Sequence, residues 1–177
     1  MVLVGLPGVG KSTVGRAVAH RLGRSFIDLD QHVERSFGKS IREIFRQNGE
    51  ATFRIAEAEA TGTVAVREPA VIAPGGGWVL NGMATAHLQG KGRIIYLRVS
   101  PDDAIQRMGR GIGRRPLLRD ATDPLETMRM IYEARRSLYE GLSEIVVETG
   151  GMGRSNVIAM VVERVLAAER DFGKVNA

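Results

Sequence analysis

The chain has 177 residues, 44% of them apolar, with no cysteine and a net charge of +5. That length suits one domain with a full core, and the missing cysteine excludes disulfides and thiolate metal sites while fitting a reducing, cytoplasmic setting. No run of about 18 apolar residues occurs, so no membrane-spanning helix is expected, and MVLVG at the start reads as a strand rather than a leader.

The positive charge is almost all arginine, since lysine stands only at Lys11, Lys39, Lys91 and Lys174. Most arginines lie in expected helices beside acidic residues rather than in one tract. Aromatics make up 5% of the chain, too few for a base-stacking platform, so no specific nucleic-acid partner is expected. Guanidinium forks match phosphate and carboxylate groups, which points instead to small anionic molecules.

The first element is a buried strand, Val2–Val4, which runs directly into Gly5-Leu6-Pro7-Gly8-Val9-Gly10-Lys11-Ser12. This segment fits G-x-x-x-x-G-K-[ST] and is followed by a helix from Lys11 to Leu22 that ends at Gly23, a natural left-handed cap. Strand, glycine loop and helix in that order form a phosphate grip: backbone N–H groups converge on phosphate oxygens, and the positive end of the helix faces the same anion. Gly8, Val9, Gly10, Lys11, Ser12 and Thr13 are therefore the expected nucleotide contacts. Lys11 would reach the β- and γ-phosphates, and the Ser12 hydroxyl would ligate Mg²⁺. The N-K-x-D and D-x-x-G segments of a GTPase are missing from the sequence.

A second strand, Ser25–Ile27, leads to Asp28-Leu29-Asp30. In a parallel sheet such a strand end faces the phosphate site, so one carboxylate could stand near the metal and the other near an acceptor hydroxyl. An ordinary helix N-cap is the alternative reading, which would suit Asp30. Helices are expected over Ile41–Gln47 and from Glu50 to about Val66, then a strand at Ala70–Ala73 followed by PGGGW. Three glycines in succession, Gly75, Gly76 and Gly77, exceed what a tight turn needs and suggest close approach by a ligand.

Strand Arg93–Val99 is followed by Ser100-Pro101-Asp102-Asp103, a capped helix start, and Asp123-Pro124-Leu125-Glu126 opens a long helix to about Glu140. Between them, residues 109–123 are rich in glycine and arginine, show no periodicity, and read as a mobile flap. A strand at Glu144–Glu148 and a helix from about Asn156 to Arg170 complete the pattern. Short strands alternating with helices indicate a mostly parallel sheet covered on both faces, one α/β domain over residues 1–177. Among the histidines, His20 and His87 have no second metal ligand at helical spacing, and His32 is placed near the Asp pair without a catalytic role.

GEATFRIAEAEA at residues 49–60, PGGGW at 74–78, RRPLL at 114–118 and ARRSLY at 134–139, together with Asp28-x-Asp30 and the phosphate loop, resemble shikimate kinase. The resemblance runs from residue 2 to about 170. It implies a P-loop NTPase three-layer architecture with a five-stranded parallel sheet flanked by helices. It further implies ATP as donor with Mg²⁺, the 3-hydroxyl of shikimate as acceptor and the aromatic amino-acid pathway; a monomer is the expected state, although the sequence leaves the oligomeric state open. On the matching positions, Asp30 is the acid at the acceptor hydroxyl and Asp28 its neighbour near the metal. Arg54 and Arg135 hold the acceptor carboxylate, and Gly75, Gly76 and Gly77 form the turn beneath the ring. Arg115 closes from the flap onto the transferred phosphate, Arg107 packs on adenine, and Phe45, Phe53 and Glu57 line or brace the pocket.

Chemically the set is coherent, because bidentate arginines suit a carboxylated acceptor and phosphoryl transfer needs charge and alignment more than covalent chemistry. A surface ion pair with Glu57 is the plain alternative for Arg54. Pro74 and Trp78 depart from the smaller neighbours expected around the glycines, and Trp78 could either wall the pocket or pack beneath it. A gluconate-type kinase of the same fold and a non-catalytic binding domain are the rival functions. Lys11, Asp30 and a flap arginine, whose loss would mark a binding domain, are all present.

Overall fold

The computed structural model describes residues 1–66, 69–114 and 116–175. Its strands are β1 (Val2–Val4), β2 (Ser25–Asp28), β3 (Ala70–Ala73), β4 (Ile94–Arg98) and β5 (Ile145–Glu148). They form one parallel sheet in the order β2-β3-β1-β4-β5. The helices are α1 (Lys11–Arg21), α2 (Leu29–Phe37), α3 (Ile41–Ala65), α4 (Gly82–Ala86), α5 (Pro101–Met108), α6 (Pro116–Arg119), α7 (Pro124–Leu142) and α8 (Arg154–Val175). A strand buried on both faces must be apolar throughout rather than alternating, and β1 and β3 are buried at every position. α1 packs against α8, and α5 against α7. Right-handed crossovers place α1 on one face of the sheet and the helices that link β2 to β5 on the other.

The strand order reverses at β1. The chain leaves it for β2 and β3 on one side, then returns to β4 and β5 on the other. The carboxyl ends of neighbouring strands therefore diverge there and open a crevice, which is where ligands sit in such sheets. The phosphate loop follows β1, the Asp pair follows β2, and the glycine turn follows β3, so topology alone brings the three together.

Most expected elements appear, with three informative differences. α2 was foreseen only in the alternative reading of Asp30 as a helix N-cap: it buries only Leu29 and Val33, a stripe too short to read as periodic. Its start is fixed instead by Asp28, whose side chain accepts the N–H of Gln31, so Asp28 rather than Asp30 is the N-cap. The two expected helices after it are joined as α3, yet Gly49 at φ 82 and ψ 167 breaks the helical path at the expected boundary. Residues 109–123 are also not featureless: a 3₁₀ turn covers Gly109–Arg114 and α6 follows.

Candidate functional site

The phosphate loop is built by what α1 lacks. α2, α3, α5 and α7 each begin with a side chain that accepts a first-turn N–H, from Asp28, Ser40, Ser100 and Asp123 respectively. α1 begins at Gly10 with no side-chain cap and no acid in its first turn. Its leading N–H groups are thus left for an anion, with no side-chain cap and no acid within the first turn to take them. Gly8 is held at φ +85, and a Cβ there would stand 2.6 Å from the Ala104 carbonyl oxygen and from Met108 Cγ. A side chain would force α5 away from the loop, so the close packing requires glycine.

Within this loop the Lys11 ammonium donates to the carbonyls of Gly5 and Leu6 at 2.8 and 3.0 Å. The Ser12 hydroxyl donates to Asp28 Oδ2 at 2.8 Å. The loop and the end of β2 are therefore linked through the pair expected to hold the metal. Hydroxyl and carboxylate oxygens suit Mg²⁺, which takes one or two protein ligands and completes its shell with phosphates and water. The residues present fit that ion.

A cleft of about 220 Å³ runs over these groups, lined by Gly8, Gly10, Lys11, Ser12, Thr13, Asp28 and Asp30, with Pro74, Gly75, Gly76 and Arg107 on its other walls. The phosphate loop and the Asp pair thus share one cavity with the glycine turn. Gly75 lies so near Asp30 that a Cβ would sit 2.8 Å from Asp30 Oδ1. At Gly77 a Cβ would stand 3.2 Å from Arg54 Nη2. The turn is bare on the side where Asp30 and Arg54 approach it.

Arg54 makes more than a surface pair. Its Nη1 donates to Glu57 Oε2 at 3.0 Å and, at 3.4 Å, to the Gly77 carbonyl, while its other nitrogens hold Glu50. Glu57 is only 2% exposed, so this is an ion pair inside the protein. Burial works against the Arg54 charge, but Glu57 and Glu50 outweigh it and hold the guanidinium pKa above its ordinary value. Phe53 and Phe45 lie beside it, rings 4.8 Å apart, with Phe53 buried and Phe45 partly exposed.

Other expected site residues fall in less central places. Val9 turns its side chain into the core, and its N–H donates to the Leu6 carbonyl at 3.3 Å, closing a turn inside the loop rather than lining the cleft. Arg107 lines the cleft and is tied to the end of β5, its guanidinium donating to the hydroxyl of Thr149 at 2.9 Å and to the Thr149 carbonyl. Arg135 is half-buried on α7 next to Tyr139. Arg115 lies outside the described residues. Trp78 packs beneath the turn: it is fully buried and its Nε1 donates to Thr61 Oγ1 at 3.1 Å.

Two residues that sequence reasoning left unassigned hold this arrangement. Asn81 Nδ2 donates to the Arg54 carbonyl at 2.7 Å and to Glu57 Oε2 at 3.0 Å, while its Oδ1 caps α4. A cap asparagine is legible from sequence; its reach across to α3 is not. Tyr139 donates to the Gly76 carbonyl at 2.7 Å. Its spacing of four from Arg135 was the available signal, since residues so spaced share a helix face.

Residues 7–166 match the family model described as shikimate kinase. A shikimate kinase of Streptomyces coelicolor is 41% identical over 165 residues, covering 93% of this chain and 94% of that protein. Among solved structures, a shikimate kinase from Acinetobacter baumannii in complex with shikimate superposes with a TM-score of 0.87 at 32% identity, over 94% of this chain and 92% of that one. A gluconokinase from Sinorhizobium meliloti shares the fold at a TM-score of 0.52 and 20% identity, over 94% and 95% of the two chains.

Proposed function

The chain belongs to the shikimate kinase family, and we propose that it transfers the γ-phosphate of ATP to the 3-hydroxyl of shikimate with its described cleft as the reaction site. It is an ATP-dependent small-molecule kinase. The observation that carries the residue assignment is the meeting, in one cleft, of Lys11 and Ser12 with Asp30 set against Gly75.

In this reading the uncapped start of α1 and the N–H groups of Gly8 and Gly10 cradle the phosphates, with Thr13 at the rim. Lys11 neutralises charge on the transferred group. Ser12 and Asp28 would hold Mg²⁺, which supplies charge neutralisation at the phosphate oxygens. Asp30 orients the acceptor hydroxyl and takes its proton as the new O–P bond forms. Arg54 and Arg135 grip the carboxylate, fixing the ring so that the hydroxyl lies in line with the phosphate. Gly75, Gly76 and Gly77 let the ring approach the backbone. Arg107 stacks on adenine. Arg115 and the rest of residues 109–123 close over the transferred phosphate and exclude water that would otherwise accept it.

The test is ADP release from Mg-ATP with shikimate, with gluconate and with no acceptor. Release that depends on shikimate alone is expected. Release with gluconate in its place, or none above the no-acceptor rate, would overturn the assignment of the pocket.

A further inference from the structure

The middle carbonyl of the glycine turn is held by a phenol from α7. Tyr139 Oη donates to the Gly76 carbonyl at 2.7 Å, and the residue is fully buried. Its ring stacks on Tyr96 of β4, centroids 5.1 Å apart and planes 22° from parallel, so the hydroxyl is fixed by the core and not by its own bond alone. Arg135 stands four residues earlier on α7, on the same helix face. Burial raises the Tyr139 pKa to about 12, and the Arg135 guanidinium beside the phenol acts in the opposite direction. The hydroxyl therefore keeps its proton at neutral pH for the Gly76 carbonyl, with the Arg135 guanidinium next to it.

We propose that Tyr139 is a positioning residue that ties Arg135 to the triple-glycine turn, setting the distance between the arginine that grips the acceptor carboxylate and the turn that supports the acceptor ring. One phenol oxygen can accept from a guanidinium while donating to a carbonyl, so it links a cation on α7 to a backbone group after β3. Arginine has a long, rotamer-rich side chain, and ordering it before the acceptor arrives removes part of the cost of binding. The inference rests on the proposed role of Arg135.

Tyr96 provides an internal control. It belongs to the same ring stack and is as fully buried, but its hydroxyl has no hydrogen-bond partner among the described residues. Tyr139→Phe and Tyr96→Phe each remove one buried oxygen from the same stack, and only the first removes the bond to Gly76 and the hydroxyl beside Arg135. Expected for Tyr139→Phe is a shikimate KM raised about tenfold, the scale of one hydrogen bond to a charged group, with the ATP KM within about twofold. Tyr96→Phe should leave both constants at the wild-type level. Arg135→Ala and the Arg135→Ala/Tyr139→Phe double variant complete a cycle. If Tyr139 acts through Arg135, the double variant has the shikimate KM of Arg135→Ala alone.

Independent, multiplying effects would overturn the proposal, as would an equal rise of both KM values in Tyr139→Phe or the same phenotype in Tyr96→Phe. These outcomes leave shikimate-dependent turnover by the wild-type chain intact. Absence of that turnover would refute the functional reading itself and this inference with it.

Discussion

Replacing Arg54 by alanine tests the proposal that this side chain serves acceptor binding as well as folding. Its guanidinium faces Gly77 and is 22% exposed, so a carboxylate gripped there is partly withdrawn from water. Losing that charged hydrogen bonding should cost about 2 kcal/mol, or about 30-fold in the shikimate KM, with little change for ATP. The same substitution strips Glu57, 2% exposed, of a partner at 3.0 Å and leaves it Asn81 Nδ2, also at 3.0 Å. Breaking a buried pair costs about 3–5 kcal/mol, and the remaining amide should bring this to about 2–3 kcal/mol. For a chain of this size that lowers Tm by about 5–10 °C. Arg54→Ala/Glu57→Gln removes the stranded charge while keeping an acceptor for Asn81. Steady-state kinetics and thermal melts on both variants should show much of the stability returning while the shikimate KM stays high. If the KM recovers along with Tm, or if Arg54→Ala raises the ATP KM equally, Arg54 is a structural residue and the reasoning fails.

Two further variants probe the parts around it. Gly75→Ala places a methyl group 2.8 Å from Asp30 Oδ1 and must displace the carboxylate, so kcat should fall about 100-fold with the ATP KM kept within twofold; an equal loss of ATP affinity would instead place Gly75 in the nucleotide grip. At the start of α3, the hydroxyl and N–H of Ser40 bond Glu43 and hold its carboxyl below the usual 4.5. A depressed folded pKa means this support is present above 4.5 and is lost as pH falls through the folded value. Glu43→Gln should therefore flatten the acid side of a plot of Tm against pH, and parallel curves for the two proteins would refute the assignment.

The nucleotide half of the site was legible because its chemistry is contiguous. Glycine spacing, Lys11 and Ser12 lie within one loop between a strand and a helix, and the physical requirement of a phosphate grip is written into consecutive residues. Val9 shows the limit of that reading, since a pattern gives a residue its place in the loop but not the direction of its side chain. The sheet was legible for a related reason: strands buried on both faces, such as Val2–Val4 and Ala70–Ala73, are apolar throughout. α2 was not, because its start depends on Asp28, which binds both Ser12 and the Gln31 N–H.

The acceptor half is assembled across the chain, and its supports are pairwise facts that no local pattern contains. Arg54 comes from α3, the glycines from the turn after β3, Asp30 from α2 and Arg135 from α7. The bonds that brace the turn and Arg54 span 23, 24 and 63 residues of sequence: Arg54 to Gly77, Asn81 to Glu57, and Tyr139 to Gly76. Two of the three end on backbone carbonyls, which any residue type provides, so the partner leaves no compositional trace. The phosphate loop is set by the sheet reversal and can be kept unchanged. The proposed acceptor grip draws on side chains from separate helices, Arg54 on α3 and Arg135 on α7, and is separate from that loop. Selectivity for the acceptor should accordingly be most sensitive to the braces Asn81 and Tyr139, whose loss leaves every nucleotide contact in place.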